Sequence, residues 1–328
     1  MRLKVLGSAA GGGFPQWNCA CPNCRRIREG KFSGSPRTQA QLAWSTEPEA
    51  WTLLNASPDL RVQIDATPEL WPSHPNAARH SPIRDLILTG AEVDQSLGLL
   101  LLREFHRFRV HATASVRKIL TEDNSMFGVL ARFPGQVEWH DLPLDRPFSA
   151  GGARLEAIPL SASFPGFVSA KRSAELNPAE AAIGLFISPD CTTRPENLGG
   201  CGAGNPACSR LSSRPGKTLA FLPGAGSVSD ALLERLEPCD FLFFDGTFWS
   251  DDEPSHIPGI TRGARQMGHL PISGAGGSLD RLSRLQRPRK VFIHINNTNP
   301  ILADDSPERR QVSDSGWEVA WDGMEITL

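Results

Sequence analysis

The stretch that decides the fold is Leu86-Ile-Leu-Thr-Gly-Ala-Glu-Val-Asp-Gln-Ser-Leu-Gly-Leu-Leu100. An apolar, β-like run ends near Leu88, a polar loop follows, and a helix-like apolar segment begins at Ser96. Glu92 and Asp94 are two residues apart on this loop, so both carboxylates can point toward one site if the loop is extended. The alternative interpretation is that the two acidic residues only complement the dipole at the start of the helix.

Short β-like runs and helix-like segments recur on both sides of this stretch. The predicted strands are Leu3–Leu6, Gln41–Trp44, Trp51–Leu54, Leu86–Leu88, Arg109–Ala112, Ala153–Ile158, Ile183–Ile187, Leu219–Leu222, Phe241–Phe244 and Lys290–Ile295. The predicted helices are Ser96–Phe105, Ala114–Glu122, Ser229–Leu236, Ser278–Leu285 and Ser306–Val312. This mixture predicts a layered α/β or α+β fold. The sequence has no repeat of fixed period and no long linker, so we expect one domain over residues 1–328.

The composition excludes several classes of protein. Hydrophobic residues make up 40% of the chain and charged residues 21%, and the formal net charge is -2. Proteins that bind nucleic acids or membrane surfaces usually carry a basic excess, which is missing here. No apolar run reaches the roughly 20 residues that a membrane span needs, and the apolar part of the segment Met1–Gly7 is too short for the core of a signal peptide. We expect a cytoplasmic protein that contacts neither nucleic acid nor membrane.

Three cysteines lie within six residues in the segment Cys19-Ala-Cys-Pro-Asn-Cys24. Thiolates are soft ligands, and the spacing of Cys19, Cys21 and Cys24 lets one short loop surround a tetrahedral zinc ion. The odd total of seven cysteines also favours metal binding or free thiols over disulfides in the cytoplasm. We therefore predict a structural zinc knuckle at residues 19–24, with a fourth ligand from elsewhere. The alternative is three buried free cysteines.

Three further motifs place polar side chains after apolar runs. Asp245 ends the run Phe243-Phe-Asp-Gly-Thr-Phe248, where its carboxylate can bridge metals, although Asp-Gly is also a common turn pair. His269 lies in Met267-Gly-His-Leu-Pro-Ile-Ser273. His294 ends an apolar run and opens a six-residue stretch with three asparagines and a threonine. A lone histidine after a strand is more often structural, but this polar stretch could hold a metal, the groups that support its ligands or a polar substrate.

Residues 189–217 have the composition of a loop, rich in glycine, proline and serine. We expect an insertion at the surface between two strands. Its cysteines Cys191, Cys201 and Cys208 are either a second small metal site or loop thiols without a ligand role.

Taken together, these motifs resemble the coenzyme PQQ synthesis protein B family of the metallo-β-lactamase superfamily. The matching segments span nearly the whole chain and are Gly7–Cys24, Asn55–Leu60, Phe244–Trp249, Met267–His269, His294–Pro300 and Trp317–Met324. The family is similar in fold to ribonuclease Z and the phosphodiesterase PhnP. The resemblance therefore implies a four-layer αββα sandwich with metals at the ends of its strands.

The resemblance also implies roles for particular residues. Cys19, Cys21 and Cys24 match the structural zinc knuckle. The residues that match the active-site metal ligands are Glu92, Asp94, Asp245, His269 and His294, and of these His269 and Asp94 are the expected catalytic residues. In relatives with this knuckle the fourth zinc ligand lies three residues past the last ligand histidine. That position is Asn297 here, a poor zinc ligand, so the fourth ligand stays open.

The family acts in the synthesis of pyrroloquinoline quinone (PQQ), a redox cofactor built from a glutamate and a tyrosine of a precursor peptide. The implied activity is that of an iron- and oxygen-dependent hydroxylase acting on the tyrosine ring of the excised Glu–Tyr cross-linked product. Carboxylate and imidazole ligands without thiolates suit Fe²⁺ with open positions for O₂ and substrate. The implied partners are this dipeptide-like small molecule and O₂, and a homodimer and contacts with other proteins of the pathway are left open.

Two positions depart from the family pattern. The family usually has histidine at the position of Gln95 and an acidic residue at the position of Gly90, and the loss of an imidazole should weaken metal binding. A non-catalytic carrier of PQQ or its precursor is therefore a second hypothesis. A metal-dependent hydrolase is a third, which the absence of histidines from the first metal loop disfavours.

Overall fold

The structure is a computed structural model that describes residues 1–74, 76–144, 146–161, 163–190, 216–257 and 259–328. The strands in these ranges are β1 Arg2–Gly7, β2 Gln41–Glu47, β3 Ala50–Leu54, β4 Ile83–Ile87, β5 Phe108–Ala112, β6 Val137–Asp141, β7 Phe148–Ala150, β8 Ala153–Ser161, β9 Ala182–Pro189, β10 Leu219–Leu222, β11 Phe241–Asp245, β12 Arg289–Ile293, β13 Trp317–Val319 and β14 Glu325–Thr327. The α-helices are α1 Pro22–Arg28, α2 Leu60–Asp65, α3 Val93–Ser96, α4 Ala114–Thr121, α5 Ala170–Glu175, α6 Asp230–Leu236, α7 Ser278–Arg281 and α8 Pro307–Asp314.

The strands form two mixed sheets of seven strands each. The first has the order β14-β1-β2-β3-β4-β5-β6, and the second has the order β13-β12-β11-β10-β9-β8-β7. In the first sheet the pairs from β14 to β3 are antiparallel and those from β3 to β6 are parallel. In the second, β10 to β13 run parallel, and β7 to β10 pair antiparallel.

Alternating side chains on the strands sort into distinct layers of apolar core. On β11, Phe243 points between the two sheets, where it packs in one cluster with residues of both, such as Val5 and Leu185. Its neighbours Leu242 and Phe244 point to the other face and pack in a second cluster. This alternation follows the two-residue period of a strand.

Helices cover the outer faces of the two sheets. Residues of α6 and α8 share the cluster on the outer face of the second sheet, and residues of α2 and α4 share the cluster on the first. The order of layers is therefore helix, sheet, sheet, helix, which confirms the predicted αββα sandwich.

The parallel register of β11 and β12 brings chemically useful residues to one edge. Asp245 is the last residue of β11 and pairs with Ile293, the last residue of β12. His294 follows directly. Because parallel strands end at the same edge of a sheet, the carboxylate and the imidazole lie beside each other.

Every predicted strand overlaps a strand of the structure, but two predicted helices are wrong in extent. The helix predicted over Ser96–Phe105 is a short α3 followed by a 3₁₀ helix over Leu97–Leu102. Gly98 donates its N–H to the carbonyl of Ala56, and a Cβ at Gly98 would lie 2.3 Å from the Ser57 carbonyl oxygen. This close contact between backbones tightens the helix.

The second wrong helix is the one predicted over Ser278–Leu285, because α7 ends at Arg281. The strands β9 and β10 on either side of the predicted loop 189–217 are antiparallel neighbours, and residues 191–215 of that loop lie outside the described residues. Cys191, Cys201 and Cys208 lie outside the described residues. No helix in the described part of the chain is both long and apolar enough to cross a bilayer.

Candidate metal centre

Four of the five residues matched to active-site ligands meet at the strand edge. The Nδ1 atom of His269 lies 2.7 Å from Oδ2 of Asp245, and Nε2 of His294 lies 3.2 Å from Oδ2 of Asp94. Ligand atoms of Asp245, His269 and His294 all lie within 4.8 Å of one another. Asp245 is fully buried, so its charge needs partners at this place.

Thr247, which the sequence reasoning did not assign a role, ties these groups together. Its hydroxyl lies 2.5 Å from Oδ1 of Asp245 and 2.9 Å from Nδ1 of His294. The hydroxyl has one proton, which the carboxylate accepts, so Nδ1 of His294 donates to Thr247 and Nε2 is the nitrogen that faces Asp94.

Nε2 of His294 faces the carboxylate of Asp94 at 3.2 Å. Two electron-pair donors at this distance repel each other unless a proton or a cation lies between them. Two atoms bound to one metal at about 2.1 Å each lie about 3 Å apart in tetrahedral or octahedral geometry. The donor atoms of Asp94 and His294 therefore fit a metal ion.

The electrostatics of the site keep Asp94 ionised. Burial acts to raise the pKa of its carboxyl, but the hydrogen bond and charge of His294 outweigh burial and lower that pKa. For His269 burial acts to lower the pKa, and the charge of Asp245 and the hydrogen bond to it outweigh burial and raise it. A region that attracts positive charge lies between these carboxylates.

Glu92, the fifth matched residue, is placed differently. It lines the same pocket, but its side chain is exposed to solvent and it is not part of the three-residue cluster within 4.8 Å. Partial desolvation, and then the charge of Asp94, raise the pKa of its carboxyl. Glu92 therefore belongs to the rim of the site in this structure.

Gly90 and Gln95, the two residues that differ from the pattern implied by the resemblance, contact each other. A Cβ at Gly90 would lie 2.4 Å from Oε1 of Gln95, so the Gln95 side chain occupies the space next to the glycine. Oε1 of Gln95 is buried and has no hydrogen-bond partner among the described residues. An unpaired amide oxygen therefore belongs to the residue that follows Asp94, at the position where the resemblance implies an imidazole.

The side chains of Asp94, His269 and His294 open onto a cavity of about 470 Å³. This volume suits a small molecule rather than a protein segment. The polar lining also includes Gln39 and Asn296, and the apolar lining includes Val93, Pro165, Phe248 and Met267.

The three predicted knuckle cysteines form a second, separate cluster. The sulfur atoms of Cys19, Cys21 and Cys24 lie within 4.8 Å of one another. Cys21 caps α1 by accepting the N–H of Cys24, and proline at the first helical position favours this start. Burial raises the pKa of Cys24 to about 12, so a thiolate at this position needs a bound cation.

The side chain of Asn297 faces these three sulfurs. Its Nδ2 lies 3.1 Å from Cys19 Sγ, 3.3 Å from Cys24 Sγ and 3.6 Å from Cys21 Sγ. Half a turn about the last side-chain bond exchanges Nδ2 and Oδ1. An amide oxygen can therefore take the fourth corner of a tetrahedral site, and the four residues fit zinc.

Asn23 connects α1 to the turn at residues 294–299 that follows β12, called the strand-end turn. Its Nδ2 donates to the backbone carbonyls of Asn297, Thr298 and Asn299 at 3.1–3.2 Å. The residues after His294 thus serve two sites in turn, because Asn296 lines the cavity and Asn297 faces the cysteines. The predicted zinc knuckle and the predicted metal pocket are neighbours that share one loop.

Comparisons with known proteins agree with this geometry. A family model described as "Beta-lactamase superfamily domain" matches residues 50–203 and 202–295. The chain is 42% identical over its full length to coenzyme PQQ synthesis protein B of Pseudomonas paraeruginosa, with all of that protein covered, and 41% identical to that of Azotobacter vinelandii, also fully covered. This chain belongs to the coenzyme PQQ synthesis protein B family. The family acts in PQQ biosynthesis, and its fold is that of metal-dependent enzymes.

Solved structures place the chain in the same family. It superposes on "Zn(2+)-bound PqqB from Methylobacterium extorquens" with a TM-score of 0.84 and 35% identity, covering both chains fully. A diphosphatase of the PhnP family gives a TM-score of 0.62 at 19% identity, covering 99% of this chain and 97% of that chain. The second likeness shows the shared fold alone.

Proposed function

We propose that this chain is an iron- and oxygen-dependent hydroxylase that acts on the tyrosine ring of the Glu–Tyr cross-linked intermediate of PQQ synthesis. The observation that carries the proposal is the donor set at the strand edge. Two carboxylates and two imidazoles converge there, while the thiols are gathered in a separate cluster. Hard oxygen and imidazole donors without thiolates favour Fe²⁺ with open positions over structural zinc.

Asp94, Asp245 and His294 would hold the iron, and Thr247 orients two of them. When bound, Fe²⁺ supplies the one-electron chemistry that O₂ needs before it reacts with an aromatic ring. The hydrogen bond that Nδ1 of His294 donates to Thr247 fixes the orientation of this imidazole, as partners of metal ligands commonly do.

His269 is the expected acid–base group. Its Nδ1 is held by Asp245 and Thr247, which leaves Nε2 as the nitrogen that can exchange a proton with substrate. The raised pKa of His269 keeps a proton available near neutral pH. The alternative role for this imidazole is that of a further metal ligand.

The zinc ion in the "Zn(2+)-bound PqqB" structure suggests that this chain also binds zinc. We place a structural zinc ion on Cys19, Cys21 and Cys24, with Oδ1 of Asn297 as the fourth ligand. This zinc would stabilise the fold and take no part in the reaction.

The test is turnover of the cross-linked Glu–Tyr substrate by the Fe²⁺-loaded chain with O₂ and a reductant. One oxygen atom enters a ring C–H bond and the other leaves as water, so each event consumes one O₂ and two electrons. The proposal predicts a product heavier by one oxygen atom, with the label of isotopically heavy O₂. The variant H269A should lose at least tenfold in kcat, consistent with the usual range for acid–base groups. Label from water instead of O₂ would contradict the proposal.

A carrier function is the second candidate, and the pair Gly90 and Gln95 is the observation that favours it. Their contact fills space beside Asp94 where relatives have ligands. A carrier would bind the intermediate with the same affinity with and without Fe²⁺ and would consume no O₂.

A further inference from the structure

The loop after β12, residues 294–299, contributes His294 and Asn296 to the wall of the cavity beside the metal centre. Asn296 is the one of these two that has an amide side chain. Its Nδ2 donates to the hydroxyl of Thr298 at 2.6 Å, and its backbone N–H donates to the carbonyl of Thr247. One N–H of Nδ2 is committed to Thr298, and Oδ1 is the acceptor of this amide that is left for a hydroxyl group in the cavity. The orientation of this amide therefore depends on Thr298.

Thr298 is in turn held by a buried carboxylate. Its hydroxyl lies 2.5 Å from Oε1 of Glu253, whose Oε2 accepts the backbone N–H of Trp249, also at 2.5 Å. Only 6% of Glu253 is exposed, and no Lys or Arg of the described ranges forms an ion pair with it within 4.0 Å. Burying a carboxylate without a cation partner destabilises the folded state. The hydrogen bonds to Thr298 and Trp249 are therefore the contacts that offset this cost.

The direction of these hydrogen bonds follows from proton counting. An ionised carboxylate only accepts, so the single hydroxyl proton of Thr298 goes to Glu253. The hydroxyl oxygen then has only lone pairs to offer Asn296, and Nδ2, not Oδ1, must face it. The ionised Glu253 thus fixes which end of the Asn296 amide meets the cavity, through one intermediate residue.

We propose that Oδ1 of Asn296 accepts a hydrogen bond from the ring hydroxyl of the substrate, and that Thr298 and Glu253 are positioning residues that hold the amide in this orientation. This inference rests on the proposed function for the identity of the substrate. Asn296 lies two residues after His294, so the donor it meets belongs to the part of the substrate nearest the metal ligands. A ring carrying an ether in place of the hydroxyl would leave Oδ1 without a donor.

The experiment compares the binding of tyrosine and O-methyltyrosine to the metal-loaded chain without O₂, at pH 8. Burial raises the pKa of Glu253 to about 7, so the carboxylate is ionised under this condition. The ratio of the two dissociation constants is measured in the wild type and in the variants N296A, T298V and T298S. Because each variant is scored by a ratio, any preference that the metal itself has for a phenol remains the same in all four proteins.

The preference for tyrosine should fall about tenfold in N296A, which corresponds to the loss of one hydrogen bond. In T298V the preference should fall by a similar factor, because valine keeps the shape of threonine but cannot accept the hydrogen bond from the Asn296 amide. In T298S the ratio should stay at the wild-type value. Zinc content and Tm identify variants that have lost the fold. A folded N296A with the wild-type ratio would overturn the proposal, and so would a folded T298V with that ratio. The assay needs no turnover, so the hydroxylase proposal can fail while this ratio changes as expected.

Discussion

At the scale of single residues, His294 combines several constraints. Its φ angle of 59° lies in the left-handed region, which residues other than glycine rarely adopt. Its Nδ1 is held by Thr247 and its Nε2 faces Asp94. Strained backbone is typical of functional sites, where surrounding contacts hold it in place. The sequence identified His294 from its place after an apolar strand, but the role of Thr247 depends on the fold around it.

The contact between Gln95 and Gly90 gives the first residue-scale prediction. Replacing Gln95 by histidine restores an imidazole beside Asp94, and we expect Q95H to bind Fe²⁺ at least tenfold more tightly, the usual order of effect for groups around a metal site. Anaerobic titration with Fe²⁺ measures this. Q95L is the control, since it removes the amide without adding a ligand. Unchanged or weaker binding in Q95H would contradict this account of the departure.

Glu253 gives a second prediction, on the dependence of stability on pH. Its pKa is about 7 in the folded chain, raised by burial from its usual value of 4.5. The folded state therefore holds a proton that the unfolded state has already lost, and stability falls as pH rises from about 4.5 to 7. By linkage this loss is on the order of 3 kcal/mol.

The variant E253Q cannot titrate, so its free energy of unfolding should depend less on pH in that window. Denaturant unfolding at a series of pH values, with the wild type alongside, measures the difference. E253D keeps an acid at the position and is the matched control. If the free energy of unfolding depended on pH equally in E253Q and the wild type, a group other than Glu253 would be responsible for that dependence.

At the scale of elements, the side chain of Asn23 is one of the groups that hold α1 beside the turn after His294. Asn23 donates to three consecutive carbonyls of that turn. We expect N23A to lower the free energy of unfolding by about 1–3 kcal/mol, because buried carbonyls lose their donor. Thermal unfolding measures this, and R25A on the exposed face of the same helix is the control. A loss in R25A equal to that in N23A would contradict the assignment.

The strands were more predictable from sequence than the helices. Runs such as Phe241–Phe244 can be recognised as strands from local sequence, because a strand buried on both faces is apolar at successive positions. The helix after Asp94 tightens because Gly98 packs against the backbone near Ala56. That contact joins parts of the chain far apart in sequence, and no local pattern reports it.

At the scale of the whole molecule, the layer between the two sheets is one of the layers of apolar core in the described part of the chain. Phe243 is fully buried in it. We expect F243A to lose about 3–5 kcal/mol of stability, as is usual when a large buried ring is removed. M126A, at a side chain that is 67% exposed, should change stability by less than about 0.5 kcal/mol. Equal losses in the two variants would place the core elsewhere.

The sandwich architecture could be predicted, but the order of its strands and its long-range side-chain contacts could not. Alternating strands and helices indicated layers, and the resemblance to a family supplied their number. The order of strands in each sheet depends on long-range pairing, such as that of β1 with β14, which a local pattern does not contain. Asn23 and Asn297 illustrate the same limit, because their contacts cross more than 270 positions of the chain.

We propose that this chain has two metal sites of different kinds that share one loop. Metal analysis of the wild type and of D94A after anaerobic loading with Fe²⁺ tests it most directly. We expect zinc and iron in the wild type in about equal amounts, and loss of the iron alone in D94A, since Asp94 faces His294 and is not part of the cysteine cluster. Zinc alone in the wild type, unchanged in D94A, would contradict the account and would favour a carrier.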